Sequence, residues 1–279
     1  MVKVAVAGGS GSINLRPILG PFLRPLTCAP IADVAREVID KILAKKKHEV
    51  TVLTRKPVLG PAVDPDGIRW VQVDYSDKPS LTKVLRGIDV VLCFFLDLDY
   101  VSIVRNSKNL IDASVQAGVK RFAPSEWGSR INRTLPHNAF KEEIREYLED
   151  TNSGRMRLEY TLFQPGLFVN YFGFPHTTTK HFTMCQPFID FENRRAIAVD
   201  EDSASITLTT VQDMGAVVAE ALDYEGAWPV DGGMRGTQTT VAEVIELARR
   251  LRDTWNKLLP HYRFTTAEEY LSGIWAGKL

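Results

Sequence analysis

Apolar residues follow two rhythms in the first half of the chain, and the rhythms alternate. Lys3 to Ala7 is a short, nearly unbroken apolar run, the pattern of a strand buried on both faces of a parallel sheet. From Asp33 onward, Val34, Ala35, Val38, Ile39, Ile42 and Leu43 recur at helical steps, while Arg36, Glu37, Asp40 and Lys41 fall on the opposite face. This predicts an amphipathic helix with Asp33 as its N-cap. Strand HEVTVLT follows, then a turn-rich loop, strand IRWVQVDY, a short helix SLTKVLRG and strand DVVLCFFL. A helix of about eighteen residues starts at Tyr100 and stops at Gly118, which takes the C-cap role. Strand KRFAPS closes this half. Repeated strand–helix alternation predicts an α/β fold, a doubly wound and mostly parallel sheet of Rossmann type, with ligands at the carboxyl ends of its strands.

The second half is less regular. A charged helix, KEEIREYLED, precedes strand LEYTLFQP and the aromatic-rich loop GLFVNYFGFPHTTTKHF. SITLTT alternates apolar and hydroxyl residues like a strand, and VQDMGAVVAEAL and TVAEVIELARRL read as helices. The expected organisation is a nucleotide-binding part over 1–155 and a smaller substrate-binding part over 156–279. No linker separates them, so the later strands are expected to extend the same sheet.

The turn after the first strand carries the first candidate chemistry. Gly8, Gly9, Ser10 and Gly11 follow VKVAVA as a phosphate-binding turn would, since glycines let backbone N–H groups and a helix N-terminus approach a pyrophosphate. Yet about twenty residues with Pro17, Pro21, Pro25 and Pro30 stand between the glycines and the helix. Skipping 12–32 places Gly8, Gly11 and Ala35 in GxxGxxA register. The insertion is either a genuine surface loop, for which long closures cost little entropy, or a translated intron. In-frame continuity across it favours the second. At the end of the second strand stand Thr54, Arg55 and Lys56, two cations with no carboxylate, which suits the 2′-phosphate of NADP(H); the alternative is a solvated basic turn. Asp74 either bonds an adenine amine or caps the next helix.

At KRFAPSEWG, Lys120 to Gly128, the chain resembles the NmrA-like and isoflavone-reductase-like group of atypical short-chain dehydrogenases. The likeness rests on the glycine turn, the basic residue after the second strand, this PSEWG segment, and Lys141 followed by Ile144-Arg145. It runs from Met1 to about Arg250, insertion apart, and implies NADP(H)-dependent reduction of a small aromatic or polyketide-like secondary metabolite. It also implies that Lys141 is the catalytic residue, polarising a carbonyl and supplying a proton. His137, four residues earlier, would share its helix face and could relay that proton; the bland alternative is a solvated helix with Arg145 exposed. Ser125 or Glu126 could position cofactor or substrate; the alternative is that Ser125 closes the turn and Trp127 packs into the core. Among Phe163, Phe168, Tyr171, Phe172 and Phe174, about two are expected to line an apolar pocket, the rest being core. Family members usually carry a longer C-terminal part that closes the pocket, whereas this chain stops at GIWAGKL. NmrA itself implies another reading, a dinucleotide-sensing regulator that binds a transcription factor, and only that reading calls for a protein partner. A defective product is the outcome if 12–32 is retained intron.

Bulk properties narrow this little further. With 279 residues, 44% of them hydrophobic, there is ample material for a core. A net charge of zero gives no reason to expect nucleic acid or an anionic membrane. Cys28, Cys93 and Cys185 form no CxxC pair, and the N-terminus enters a strand without a signal-peptide pattern, so a soluble cytoplasmic protein is expected. His176 and His181 have no acid at ligand spacing, so no metal is expected. The absence of a Gly-x-Ser-x-Gly elbow argues against a hydrolase.

Overall fold

The alternation resolves into one parallel sheet. A computed structural model describes residues 1–8, 31–61, 63–97, 99–129, 138–184, 189–190, 195–196, 205–253, 271 and 274. In chain order the first part runs β1 (Lys3–Ala7), α1 (Ile31–Ala44), β2 (Glu49–Thr54), β3 (Arg69–Gln72), α2 (Lys78–Val84), β4 (Val90–Cys93), α3 (Tyr100–Ala117), β5 (Arg121–Ala123), α4 (Ala139–Thr151) and β6 (Glu159–Tyr160). The strands line up as β3-β2-β1-β4-β5-β6, all parallel. Val4 of β1 faces Val50 on one side and Val90 on the other. The order reverses between β1 and β4, the switch point where such sheets open a crevice at their carboxyl ends.

Period-two alternation decides which layer each strand residue feeds. Val4 and Val6 pack with Val34, Val38 and Ile42 of α1, whereas Ala5 and Ala7 join Leu81 of α2, Leu110 and Ile111 of α3 and Ile144 of α4. All four β1 residues from Val4 to Ala7 are fully buried, which is why the run is apolar throughout. Helix α3 matches its prediction: Asp99 accepts from the N–H of Val101, and Gly118 closes it at φ 80°, in the left-handed region.

Helix α1 departs from prediction at two points. It begins at Ile31, so Ile31 and Ala32 of the supposed insertion are helical and Asp33 lies in the first turn rather than at the cap. Its acidic face is not solvated either. Asp33 accepts from Thr183, Glu37 from the N–H groups of His181 (2.6 Å) and Phe182 (3.2 Å), and Asp40 pairs with Lys180 and His181. Helical spacing of 33, 37 and 40 puts three carboxylates in one row, and the chain at 180–183 supplies donors that would otherwise be buried without partners. Asp40 is thus an acid beside His181 in space, although not in sequence.

The expected extension of the sheet stops at β6: among the described residues, the later strands form three separate small sheets. β7 (Leu162–Gln164) continues from β6 and pairs in parallel with β12 (Asp231–Gly233). Beyond it, β8 (Leu167–Phe168) pairs with β11 (Ser205–Thr209), which pairs antiparallel with β13 (Thr237–Thr240). β9 (Ile189–Asp190) and β10 (Arg195–Ala196) form a short antiparallel pair. Helix α5 (Val211–Ala221) lies on α1, so closely that a Cβ on Gly215 would meet the Glu37 carbonyl oxygen at 3.3 Å. Helix α6 (Val241–Asp253) covers a small separate core with Val169, Phe172 and Leu208.

Candidate active site

Two groups of side chains gather at the carboxyl ends of the strands. The first surrounds the end of β1. Gly8 has φ +95°, and a Cβ there would overlap the carbonyl oxygen of Phe94, so only glycine fits. Gly8 opens into a cleft of about 700 Å³, mouth included, lined among others by Ile31 and Ala32 at the start of α1, Arg55, Lys56 and Asn106. The Tyr75 hydroxyl in its wall donates to the Leu53 carbonyl at 3.0 Å. Arg55 stays largely exposed and stands 3.6 Å from Asp97, so the β4–α3 loop brings in the carboxylate that the β2 sequence lacked. The Lys56 N–H donates to the Thr54 hydroxyl. Ala35 is fully buried on the sheet side of α1. The carboxylate of Asp74 accepts from the N–H and hydroxyl of Ser76 and is held below the usual carboxylate range by those two bonds. Asp77, not Asp74, caps α2 through the N–H of Ser80. Gly9, Ser10, Gly11 and His137 lie outside the described residues, as do 12–30 of the insertion.

The second group forms where α4 passes the loop after β5. That loop is tightly wound: the N–H of Glu126 donates back to the Pro124 carbonyl at 2.8 Å, and Trp127 takes φ +39°, a rare conformation for a bulky residue. Its surroundings hold it there. The indole stacks on Phe94 at 4.1 Å and on Phe163 at 5.5 Å, and its N–H donates to the Cys93 carbonyl at 2.7 Å. The turn aims the Glu126 side chain inward, where it is 3% exposed. Arg145 grips that carboxylate through two bonds of 2.8 and 2.6 Å, and Gln164 of β7 adds a third at 3.3 Å. One helical turn before Arg145, the Lys141 ammonium donates to the main-chain oxygen of the same Glu126 at 2.6 Å. Helix α4 therefore holds residue 126 by its side chain and by its backbone.

Lys141 is electrostatically displaced. Burial pushes its pKa down to about 8; the Glu126 charge opposes that, and Arg145 adds to it. An ammonium has three donors, and Glu126 takes one of them. Such a group can hold a proton near neutral pH and release it readily. The Ser125 hydroxyl donates to the Phe95 carbonyl at 2.7 Å and so ties the β5 loop to the β4 loop that walls the cleft.

Four of the five aromatics read as pocket candidates are core, and Phe174 is partly exposed. Phe163, Phe168, Tyr171 and Phe172 are all at most 6% exposed and belong to the cores, Phe168 and Tyr171 packing edgewise or tilted against Phe182. Arg145 is not exposed, because it serves Glu126. Glu126 stands out in the sequence as a positioning candidate, but its grip by Arg145 does not. The signal was present, since both stand in the motifs that mark the resemblance, but their partnership spans nineteen positions and no local pattern reveals it.

A parallel sheet wound in this order, with glycine at the end of its first strand, is the dinucleotide-binding class of α/β fold. Within that class, the chain belongs to the NmrA-like family, whose sequence model matches residues 33–250. It is similar to the oxidoreductase BOA1 of Botryotinia fuckeliana, 26% identical over 93% of this chain and 79% of that protein. It is also similar to the isoflavone reductase of Pisum sativum, 27% identical over 99% of this chain and 76% of that one. Among solved structures, AtPrR2 with NADP+ and (+)pinoresinol superposes with a TM-score of 0.61 at 20% identity, covering 98% of this chain and 85% of the other. The Citrobacter sp. triphenylmethane reductase complexed with NADP(H) gives 0.57 at 18%, covering 98% and 84%. These two structures share the fold.

Proposed function

We propose that this protein is an NADP(H)-dependent oxidoreductase that reduces a small aromatic or polyketide-like metabolite at a carbonyl or a comparable electrophilic centre. The observation that carries the reading is Lys141, an amine with its pKa lowered to about 8 beside the nicotinamide end of a dinucleotide-type sheet. The names of the matching relatives, oxidoreductases and isoflavone reductases, support the reaction class. NADP+ and pinoresinol in the AtPrR2 structure support the cofactor and an aromatic substrate.

The residues fit the cofactor. Gly8 lets the β1 end pass close against the Phe94 carbonyl at the cleft wall, the start of α1 lines the same cleft, and Arg55 and Lys56 offer charge there for a 2′-phosphate. When bound, the cofactor supplies a hydride. Lys141 then has two tasks: its N–H polarises the substrate oxygen, and its ammonium gives up the proton that balances the hydride. Its bond to the Glu126 carbonyl fixes the direction of approach, and Ser125 keeps the β4 and β5 loops at constant spacing. Trp127 and Phe94 exclude water on the inner side.

The test is titration with NADPH and NADH, followed by NADPH oxidation against a panel of aromatic and polyketide-like carbonyl compounds, with a parallel pull-down for protein partners. NADPH is expected to bind more tightly, and Arg55→Ala to remove most of the preference, about tenfold for an exposed charge-assisted contact. Equal dissociation constants for the two nucleotides would overturn the cofactor assignment. Tight binding without turnover of any panel member, together with a captured partner, would favour the regulator instead.

A further inference from the structure

The nucleotide cleft contains one polar atom that the described structure leaves without a partner. The side-chain oxygen of Asn106, on α3, is buried and accepts no hydrogen bond among the described residues. Three residues on, the amide of Asn109 is committed, donating to the Tyr75 carbonyl at 3.0 Å. Asn106 instead lines the cleft, where Ile103, Phe94 and Phe95 make the nearby wall apolar. A buried carbonyl oxygen in apolar surroundings destabilises the fold unless something donates to it. Other polar groups nearby are already engaged: the Tyr75 hydroxyl with Leu53, the Ser125 hydroxyl with Phe95, and Asp97 with Arg55 and the Asp99 N–H.

We propose that Asn106 is a nucleotide-binding residue whose side-chain oxygen accepts a hydrogen bond from the adenosine half of the cofactor. This rests on the NADP(H) reading above. The adenosine half is indicated because the same cleft is walled by Leu53, Arg55, Lys56 and Tyr75, at the ends of β2 and β3, which stand three and four places from β5 in the sheet order. The adenine amine and the ribose hydroxyls are the donors that half offers.

The experiment measures NADPH affinity and thermal stability side by side for the unaltered protein, Asn106→Leu and Asn106→Asp. Leucine keeps the volume and removes the acceptor. It is expected to weaken NADPH binding about tenfold while leaving the melting temperature unchanged or higher, because a buried orphan is gone. Asn106→Asp keeps an acceptor oxygen and is expected to bind within a few-fold of the original, by the same principle. The probe 2′,5′-ADP should lose affinity in Asn106→Leu as NADPH does, and reduced nicotinamide mononucleotide should not. NADPH with hypoxanthine in place of adenine separates the donors: insensitivity to Asn106→Leu marks the amine, retained sensitivity the ribose. An unchanged NADPH affinity in a folded Asn106→Leu overturns the assignment, as does binding lost in a folded Asn106→Asp. Failure of the unaltered protein to bind NADPH at all would instead overturn the cofactor reading, and this inference with it.

Discussion

At the scale of single residues, Lys141 sets function against stability. Its pKa is about 8 in the fold and 10.5 for an ordinary lysine, so the unfolded chain holds the proton more tightly. Folding therefore carries a charged, part-buried amine at neutral pH as a cost, and stability rises as pH climbs through the window between those two values. Lys141→Met should accordingly melt a few degrees higher than the parent at neutral pH, with the gap closing in alkaline buffer, while turnover falls about a hundredfold or more and NADPH still binds. In the parent, reduction needs the ammonium as donor, so its rate should fall as pH rises through about 8. A Lys141→Met protein that reduces substrate at the parental rate would show that Lys141 takes no part in the chemistry. The sequence pointed to Lys141 only through a motif. What it could not supply was the displacement of the pKa, which arises from burial against Phe140, Ile144 and the β5 loop.

At the scale of elements, the join between α4 and the β5 loop is the part most exposed to damage. Glu126 and Arg145 have side chains 2% and 15% exposed, and removing one partner leaves the other charged and buried. Glu126→Ala should cost about 3–5 kcal/mol, read by denaturant titration, and Glu126→Gln distinctly less because it retains a hydrogen-bonding group for the arginine. A cost under about 1 kcal/mol, the range of exposed pairs, would mean the pair is solvated. Elements with local signals were legible: α3 from its apolar period and Gly118, β1 from its apolar run. Those that depend on distant partners were not. Glu37 looks like a solvent-facing residue until the N–H groups at 181 and 182 reach it, 144 and 145 positions away. Phe163, Phe168, Tyr171 and Phe172 look like pocket aromatics until the cores absorb them.

At the scale of the whole molecule, the outstanding feature is the sequence between the glycine turn and α1. The parallel, doubly wound character of the sheet was legible from strand–helix alternation, whereas its strand order and register come only from the structure. The extent of the insertion was not legible, because Ile31 and Ala32 sit in a segment whose prolines mask the helix start. Ala32 is 2% exposed, so a deletion of 12–32 would remove a core residue. Deleting 12–30 is the proper experiment. Joining Gly11 to Ile31 restores a direct strand–turn–helix, and that variant is expected to melt higher and bind NADPH more tightly than the full chain. Weaker binding and a lower melting temperature would make 12–30 a working part of the protein.

The wound turn at Trp127 has an optical consequence. Its indole lies flat on Phe94, and Phe94 is itself a wall of the nucleotide cleft. Shielded from water, such a ring emits toward the blue, in the region where a reduced nicotinamide absorbs. The residue that keeps the loop in its rare conformation thus stands as a lamp beside the cofactor. Quenching of its emission would signal occupancy of the cleft directly, without a substrate and without an added label.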